Sequence, residues 1–223
     1  MVLMLTKSDL EKVLSMKEVI EAIEMAFSEL QKGTVILPSR ATITLTKEAG
    51  WVGVMPAYLG KIGSLSTKIV TVFGKNLEKK IPTIMATVIL NSAETGAPLA
   101  IMEGTFITAM RTGAVCGVAT KYLARKDSKT VGVFGAGVQA RTQLMATCAV
   151  RNIKRAFVYD IFKEKADAFA VEMSRTLDIH VERREPDDMV KESDIVITAT
   201  TAKTPVFDGN LVNQGTHLNL IGS

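Results

Sequence analysis

Apolar residues recur with two different periods along this chain, and the first clear period is helical. In residues 15 to 33, "SMKEVIEAIEMAFSELQKG", they return at the spacing that lines one face of a helix. Ser15 and Glu18 have the spacing of a capping box, and Gly33 is a common residue at a helix end. The pattern predicts an amphipathic helix.

Strand signals dominate residues 35 to 102. The segments that carry them are "ATITLT", "WVGVMP", "STKIVTVF", "TIMATVIL" and "PLAIM". The connection "NSAETGAP" between the last two has the Asn, Ser and Gly residues of a turn, and Pro98 can begin a strand without interrupting it. We predict a mostly antiparallel sheet in an α+β first domain.

Small residues are frequent in the helix that we predict over residues 104 to 125, "GTFITAMRTGAVCGVATKYLAR". They lower its intrinsic helix propensity, so we expect close packing of backbones to compensate at Ala109, Gly113, Ala114, Gly117 and Ala119. A domain boundary just after this helix divides the chain into residues 1–126 and 127–223.

Strands and helices alternate in the second domain. The pattern predicts strands at 130–134, 155–159, 179–183, 194–199 and 217–221, and helices at 138–150, 163–177 and 186–192. The first of these strands, "TVGVF", is apolar at nearly every position, as a strand buried on both faces should be. This order indicates the α/β class, with a doubly wound, Rossmann-type parallel sheet.

The first strand leads into a glycine turn, "GAGVQA". The pattern G-x-G-x-x-A is weak evidence alone, but here it lies between a predicted strand and a predicted helix. Gly135 would make the tight turn, Gly137 would let the backbone approach a pyrophosphate, and Ala140 takes the small third position. Asp160 ends the next strand, where a carboxylate accepts hydrogen bonds from the adenosine ribose. The turn therefore predicts NAD; a purely structural glycine turn is the alternative.

Composition and charge exclude several other functions. Net charge is +4, but Lys and Arg are scattered among Asp and Glu, so we expect no nucleic-acid partner. Two unclustered histidines argue against a metal site, and no apolar run is long enough to span a membrane. Cys116 and Cys148 have no C-x-x-C spacing and suit reduced thiols in a cytoplasmic protein. We interpret Met85, Met102 and Met110 as core residues.

The whole chain resembles the ornithine cyclodeaminase and mu-crystallin family, which also contains archaeal-type alanine dehydrogenases. The resemblance is densest in "MPAYLG", "STKIVTVFGKN", "PTIMATVILNSAETGAPLAIMEGTFITAMRTGAV", "TKYLAR", "GAGVQA" and "GTHLNLIGS". It implies an enzyme that moves hydride between a nicotinamide and the α-carbon of a small amino or imino acid, through an imine. It also implies a homodimer, with substrate binding and dimerisation in the first domain.

Site residues follow from the same resemblance. Lys68 matches a lysine that acts as acid and base beside the reacting carbon, and Arg40 matches an arginine that binds the substrate carboxylate. Arg111 matches an arginine where cofactor and substrate meet. The remaining expected cofactor contacts are Thr83, Val138, Gln139, Asp160 and Thr201, beside Gly135 and Gly137.

Other roles remain open for the three cations. Most loop arginines are merely solvated, which is the alternative for Arg40. Lys68 lies in an apolar strand, where a snorkelling lysine is the alternative to a functional one, and a structural ion pair is the alternative for Arg111.

The resemblance leaves the substrate and one catalytic group open. Ornithine cyclisation, alanine dehydrogenation, ketimine reduction and dinucleotide binding without turnover all remain candidates. NADP is the alternative cofactor, because Lys163 could reach a 2′-phosphate. The family places a catalytic aspartate just after the strand that matches "LNLIGS", beyond Ser223. We therefore expect an incomplete nucleotide domain, and activity of residues 1 to 223 alone is not implied.

Overall fold

The computed structural model of the chain describes residues 1–221, apart from the side chain of Leu77. Two compact units make up these residues. Unit 1 comprises Met1–Ser15 and Glu21–Thr108, and unit 2 comprises Met16–Ile20 and Ala109–Ser223. The last two residues of the motif "GTHLNLIGS" lie outside the described residues.

Unit 1 is built on a seven-stranded sheet whose longest strands are antiparallel, as the sequence predicts. The strands are β1 (Leu3–Leu5), β2 (Val35–Ile36), β3 (Ala41–Leu45), β4 (Gly50–Leu59), β5 (Ser64–Phe73), β6 (Ile84–Ser92) and β7 (Pro98–Glu103). Their order is β1-β7-β6-β5-β4-β2, with β3 also paired to β4. Among the described strands of this sheet, only β1 runs parallel to its neighbour, β7. The predicted hairpin joins β6 to β7.

The two faces of this sheet differ in exposure. Residues opposite each other on paired strands share a face. One face carries Val70 and Ala100, both 5% exposed. The other carries apolar side chains that are 39–68% exposed, and we call it the open face: Met4, Ile43, Ile69 and Met85. The interpretation of Met85 as a core residue is therefore wrong within this chain, whereas Met110, 4% exposed, is buried as expected.

Three helices are distributed over both units. They are α1 (Lys7–Val13), α2 (Met16–Gln31) and α3 (Gly104–Leu123). The apolar stripe of α2 is buried at Met16 and Ile20 but exposed at Phe27 and Leu30, which the periodicity alone did not indicate. A capping box that the sequence analysis missed begins α1, where Thr6 and Asp9 bond each other's backbone N–H groups.

The small residues of α3 allow close helix packing, as predicted. A Cβ atom on Gly113 would lie 2.5 Å from the carbonyl oxygen of Thr142, and one on Gly117 would lie 2.9 Å from the Ile20 side chain. Ala114 is fully buried in the same helix. A larger side chain at Gly113 would force α3 away from the Thr142 backbone, whereas one at Gly117 would require the Ile20 side chain to move.

Unit 2 contains the predicted five-stranded parallel sheet, with boundaries within one residue of the prediction. Its strands lie in the order β10-β9-β8-β11-β12. Its elements are β8 (Thr130–Phe134), α4 (Val138–Val150), β9 (Arg155–Tyr159), α5 (Lys163–Leu177), β10 (His180–Arg183), α6 (Pro186–Glu192), β11 (Ile195–Ala199) and β12 (His217–Ile221). The central strands are fully buried at Val131, Val133, Phe157 and Ile197, so this sheet is covered on both faces.

Candidate active site

The glycine turn joins the buried end of β8 to the start of α4. Gly135 has φ +96°, and a Cβ atom there would lie 2.5 Å from the carbonyl oxygen of Ala199. Both the backbone conformation and the available space therefore require glycine. Ala140, the third small position, is fully buried where α4 packs on the sheet.

Gly137 differs from Gly135, because the protein itself does not require glycine there. It is the N-cap residue of α4 with φ −87°, a conformation that any residue can adopt. A Cβ atom on Gly137 would meet no protein atom within 4 Å, so the space beside it is open. Four backbone N–H groups without a partner inside the helix and the positive end of the helix dipole are expected at such a helix start. This arrangement fits the pyrophosphate of a dinucleotide.

Asp160 lies where the sequence analysis expects the ribose-binding carboxylate, just after β9. Its Oδ2 accepts a hydrogen bond from the N–H of Ala136 at 2.9 Å, and its Oδ1 accepts one from the N–H of Phe162 at 3.0 Å. These two bonds fix the carboxylate beside the glycine turn. Each oxygen retains a lone pair, so ribose hydroxyls can still donate to it.

The other expected cofactor contacts of unit 2 surround the turn. Val138 is 64% exposed in the first turn of α4, and the Oε1 atom of Gln139 is buried without a hydrogen-bond partner in the protein. Thr201 is exposed two residues after the end of β11, the strand that pairs with β8. All three therefore lie near the carboxyl ends of β8 and β11, where parallel sheets bind ligands.

Arg141 is part of this site, although the sequence analysis did not single it out. Its Nη1 atom donates hydrogen bonds to the carbonyl oxygens of Ala136 and Gly137. Its Nε and Nη2 atoms donate to Glu172 on α5 at 2.9 and 2.6 Å. The hydrogen bonds from Arg141 hold the pKa of Glu172 below its ordinary value, against a smaller opposing effect of burial. Arg141 is the fourth residue of α4, and no local pattern in the sequence indicates its contact with Glu172.

Unit 1 brings Arg40 and Lys68 to one row of its sheet. Lys68, half-buried in β5, pairs with Met55 of β4, and Val54 pairs with Ala41 at the start of β3. Arg40 directly precedes β3, and continuing the register by one residue would place it opposite Met55, in line with Lys68. Strand spacing would then separate the Cα atoms of Arg40 and Lys68 by about 10 Å. Arg40 is exposed, and the row lies on the same face as buried Val70.

Thr83 and Arg111 lie in different units. Thr83 precedes β6 and is half-buried, and its carbonyl oxygen accepts a hydrogen bond from the N–H of Phe73 at 2.9 Å. Arg111 is exposed on α3, one turn from the fully buried Ala114. The sequence analysis expects both to contact cofactor, and their roles stay predictions.

A buried polar chain connects β12 to α3 and was not predicted. The amide of Asn219, 7% exposed, donates to the hydroxyl of Thr120 at 2.9 Å, and His217 lies 3.2 Å from the Asn219 oxygen. Burial lowers the pKa of His217, with Arg151 adding to the decrease and the contact with Asn219 opposing it. Neutral His217 is thus favoured in the folded chain.

The thiols and charged groups of the described residues suggest no second chemistry. Burial raises the pKa of the Cys116 thiol to about 11 and that of Cys148 to about 12, so neither is a reactive thiolate at neutral pH. Within residues 1–221, no three His, Cys, Asp or Glu side chains form a group that could hold a metal ion. None of the described helices is both long and apolar enough to cross a membrane.

Comparison with known proteins gives a consistent set of relatives. The sequence matches the ornithine cyclodeaminase/mu-crystallin family over residues 1–223. A Δ1-pyrroline-2-carboxylate reductase from Thermococcus litoralis, solved with NADH and L-proline, is 53% identical with a TM-score of 0.96, covering 99% of this chain and 69% of its own. An archaeal alanine dehydrogenase dimer with bound NAD is 36% identical with a TM-score of 0.90. This match covers 97% of this chain and 66% of the alanine dehydrogenase chain.

A third relative is the Δ1-pyrroline-2-carboxylate reductase of Bacillus cereus, which is 36% identical over 223 residues. The match covers 99% of this chain and 68% of that enzyme. The chain thus spans about two thirds of the length of each of these relatives.

Proposed function

The chain belongs to the ornithine cyclodeaminase/mu-crystallin family, and we propose that it is an NADH-dependent reductase of the cyclic imine Δ1-pyrroline-2-carboxylate. The broader class, nicotinamide-dependent oxidoreductases that act at the α-carbon to nitrogen bond of amino and imino acids, is common to its relatives. The choice of substrate rests on the 53% identity with the Thermococcus litoralis reductase.

The two units have separate tasks in this proposal. Residues 127–223 bind the cofactor through the glycine turn, and residues 1–126 bind the substrate and form the dimer. The amide groups at the start of α4 receive the pyrophosphate, and the carboxylate of Asp160 accepts hydrogen bonds from the adenosine ribose. Val138, Gln139 and Thr201 complete the contacts around the turn, and Thr83 and Arg111 add contacts from β6 and α3. When bound, the nicotinamide ring supplies the hydride.

Arg40 and Lys68 handle the substrate. The planar guanidinium of Arg40 binds the substrate carboxylate through two parallel hydrogen bonds, which fixes the orientation of the imine. Lys68 donates a proton at its Nζ atom to the imine nitrogen while the α-carbon gains the hydride, so that an imine becomes an amine. Its half-buried position in the middle of a sheet supports this role, because lysine is rarely buried in an apolar strand unless it has a specific role. Arg111 supplies a further positive charge for the substrate carboxylate.

A comparison of reaction rates with different substrates tests the proposal. The full-length protein should oxidise NADH with Δ1-pyrroline-2-carboxylate at least about tenfold faster than with pyruvate and ammonia, since a site selective for one small apolar ring gains roughly 1–3 kcal/mol. Faster oxidation with pyruvate and ammonia would instead make it an alanine dehydrogenase. Binding of NADH without turnover of any amino or imino acid would support the binding-protein alternative.

A homodimer through the open face of unit 1 is part of the same proposal. Four apolar side chains on that face, Met4, Ile43, Ile69 and Met85, are 39–68% exposed, and such patches usually mark protein interfaces. One of the relatives is described as a dimer. A second copy of the chain, with the same apolar face, would cover both surfaces at once.

Sedimentation of two matched variants tests this interface. Ile69→Lys places a charge in the open face and should shift the protein towards monomers. Val171→Lys changes a β-branched residue that is 64% exposed on α5 and should leave the assembly unchanged. Equal sedimentation of Ile69→Lys and the unsubstituted protein would exclude this face as the dimer interface.

We also infer a cytoplasmic location, which the two free cysteines support.

A further inference from the structure

We propose that Arg141 is a positioning residue for the cofactor, which orients the backbone amides of the glycine turn towards the pyrophosphate. This inference rests on the proposed binding of NADH at that turn. It adds two residues, Arg141 and Glu172, that the family resemblance did not indicate.

Peptide geometry carries the argument. In a planar trans peptide, the C=O and the following N–H point in opposite directions. Arg141 draws the carbonyl oxygens of Ala136 and Gly137 to its own Nη1 atom. The N–H groups of Gly137 and Val138 must therefore point away from Arg141. These are the first amides of α4, the ones that a phosphate at a helix start uses.

The guanidinium is itself held rigidly. It makes a two-atom fork with the carboxylate of Glu172, and its Cζ atom lies 5.2 Å from the ring centre of the fully buried Phe169. A fork of this kind fixes the guanidinium plane as well as its position. The carbonyl oxygens of the turn are thus fixed relative to α5 as well as α4.

Asp160 complements this arrangement at the preceding peptide. Its Oδ2 atom accepts the N–H of Ala136 at 2.9 Å, while Arg141 binds the carbonyl oxygen of the same residue. Both polar backbone groups of Ala136 are therefore occupied. Because Glu172 neutralises Arg141, the pair orients the turn without adding net charge beside the phosphates.

The experiment compares ligands with and without a pyrophosphate. In calorimetric titrations, Arg141→Met should weaken NADH and ADP-ribose at least about tenfold, the effect expected for losing charge-assisted hydrogen bonds. Adenosine, which has no phosphate, should bind with unchanged affinity. Arg141→Lys keeps the charge and should recover part of the lost NADH affinity.

A matched control is Arg183→Met. Arg183 also pairs with a carboxylate on α5, Asp167 at 3.0 Å, and its other acidic partner, Glu185 at 3.5 Å, likewise lies outside the turn. This variant should bind NADH as tightly as the unsubstituted protein. If Arg141→Met does not fold, Glu172→Gln takes its place, with an expected two- to fivefold loss of NADH affinity, roughly that of an exposed ion pair.

The outcomes separate this inference from the proposed function. NADH binding by the unsubstituted protein, unchanged in Arg141→Met or Glu172→Gln, overturns the positioning role alone. Equal weakening of adenosine and NADH overturns it too, because the loss would then be general. Absence of NADH binding in the unsubstituted protein overturns both.

Discussion

The two sheets of this protein differ in how completely the chain itself covers them. In unit 2, Val131, Val133, Phe157 and Ile197 have no exposed surface, because helices cover both faces of the parallel sheet. In unit 1, Ile43 and Ile69 are 60% and 39% exposed on the open face of a mostly antiparallel sheet. The central strands of unit 2 are thus covered by helices of the same unit, whereas the open face of unit 1 carries exposed apolar side chains, which the proposed dimer would cover.

Functional groups follow the same division. The groups of unit 2 that we assign to the cofactor are mostly backbone atoms, held by buried strands and by Asp160 and Arg141. Those of unit 1 are long side chains, Arg40 and Lys68, on one row of the sheet. Rigid backbone suits recognition of an invariant pyrophosphate, while side chains can move a proton. The comparison predicts that substitutions in one unit affect one task and spare the other.

Lys68→Met gives the largest expected effect. Removal of an acid and base group commonly lowers kcat by 10²-fold or more, and the affinity for NADH should stay within about twofold. Steady-state kinetics of the full-length protein and NADH titration measure the two quantities. A kcat within about threefold of the unsubstituted protein would refute the role of Lys68. A parallel loss of NADH affinity would contradict the proposal that unit 1 serves the substrate and unit 2 the cofactor.

Two glycine variants sharpen the comparison inside unit 2. Gly137→Ala should weaken NADH about tenfold or more, because its methyl group enters the open space proposed for the phosphates, while stability falls by about 1 kcal/mol or less, the difference between Gly and Ala at an N-cap. Gly135→Ala should destabilise the chain by about 1–3 kcal/mol, because the new methyl group would clash with the Ala199 carbonyl oxygen and alanine rarely adopts a φ of +96°. Fluorescence titration and thermal unfolding distinguish the two. Unchanged NADH binding in Gly137→Ala would contradict the placement of the pyrophosphate.

Cofactor preference is expected to depend on one carboxylate. The unsubstituted protein should bind NADH more tightly than NADPH, because Asp160 would repel a 2′-phosphate. Asp160→Asn keeps the shape and removes the charge, so the preference should fall by about tenfold. Titration with both reduced cofactors measures it. NADPH binding as tight as NADH binding in the unsubstituted protein would contradict this role and favour Lys163 as a phosphate contact.

A smaller effect concerns pH. Burial lowers the pKa of His217 below its unfolded value near 6.5, so the unfolded chain binds more protons between the two values. The stabilising contribution of neutral His217 is present above pH 6.5 and is lost as pH falls through the folded pKa. Urea unfolding at pH 7.5 and 5.5 should show a smaller pH dependence in His217→Gln than in the unsubstituted protein. An identical pH dependence would exclude His217.

The predicted strand boundaries are most accurate for strands that are buried on both faces within unit 2. The strands around "TVGVF" were predicted to within one residue because burial on both faces leaves a continuous apolar run. Ile69 and Met85 look the same in the sequence whether the protein itself or a second copy covers them, so their exposure was not predictable. The bond of Arg141 to Glu172, which fixes its guanidinium beside the turn, depends on the distance between α4 and α5, which no local pattern encodes.

The division of tasks is tested most directly by following the transferred hydrogen. The full-length protein, given Δ1-pyrroline-2-carboxylate and NADH deuterated at the transferring position, should form proline with deuterium on the α-carbon, as mass spectrometry and NMR would show. Lys68→Met should bind the deuterated NADH yet form almost no labelled proline. Unlabelled proline, or no proline from a protein that binds NADH normally, would contradict the account.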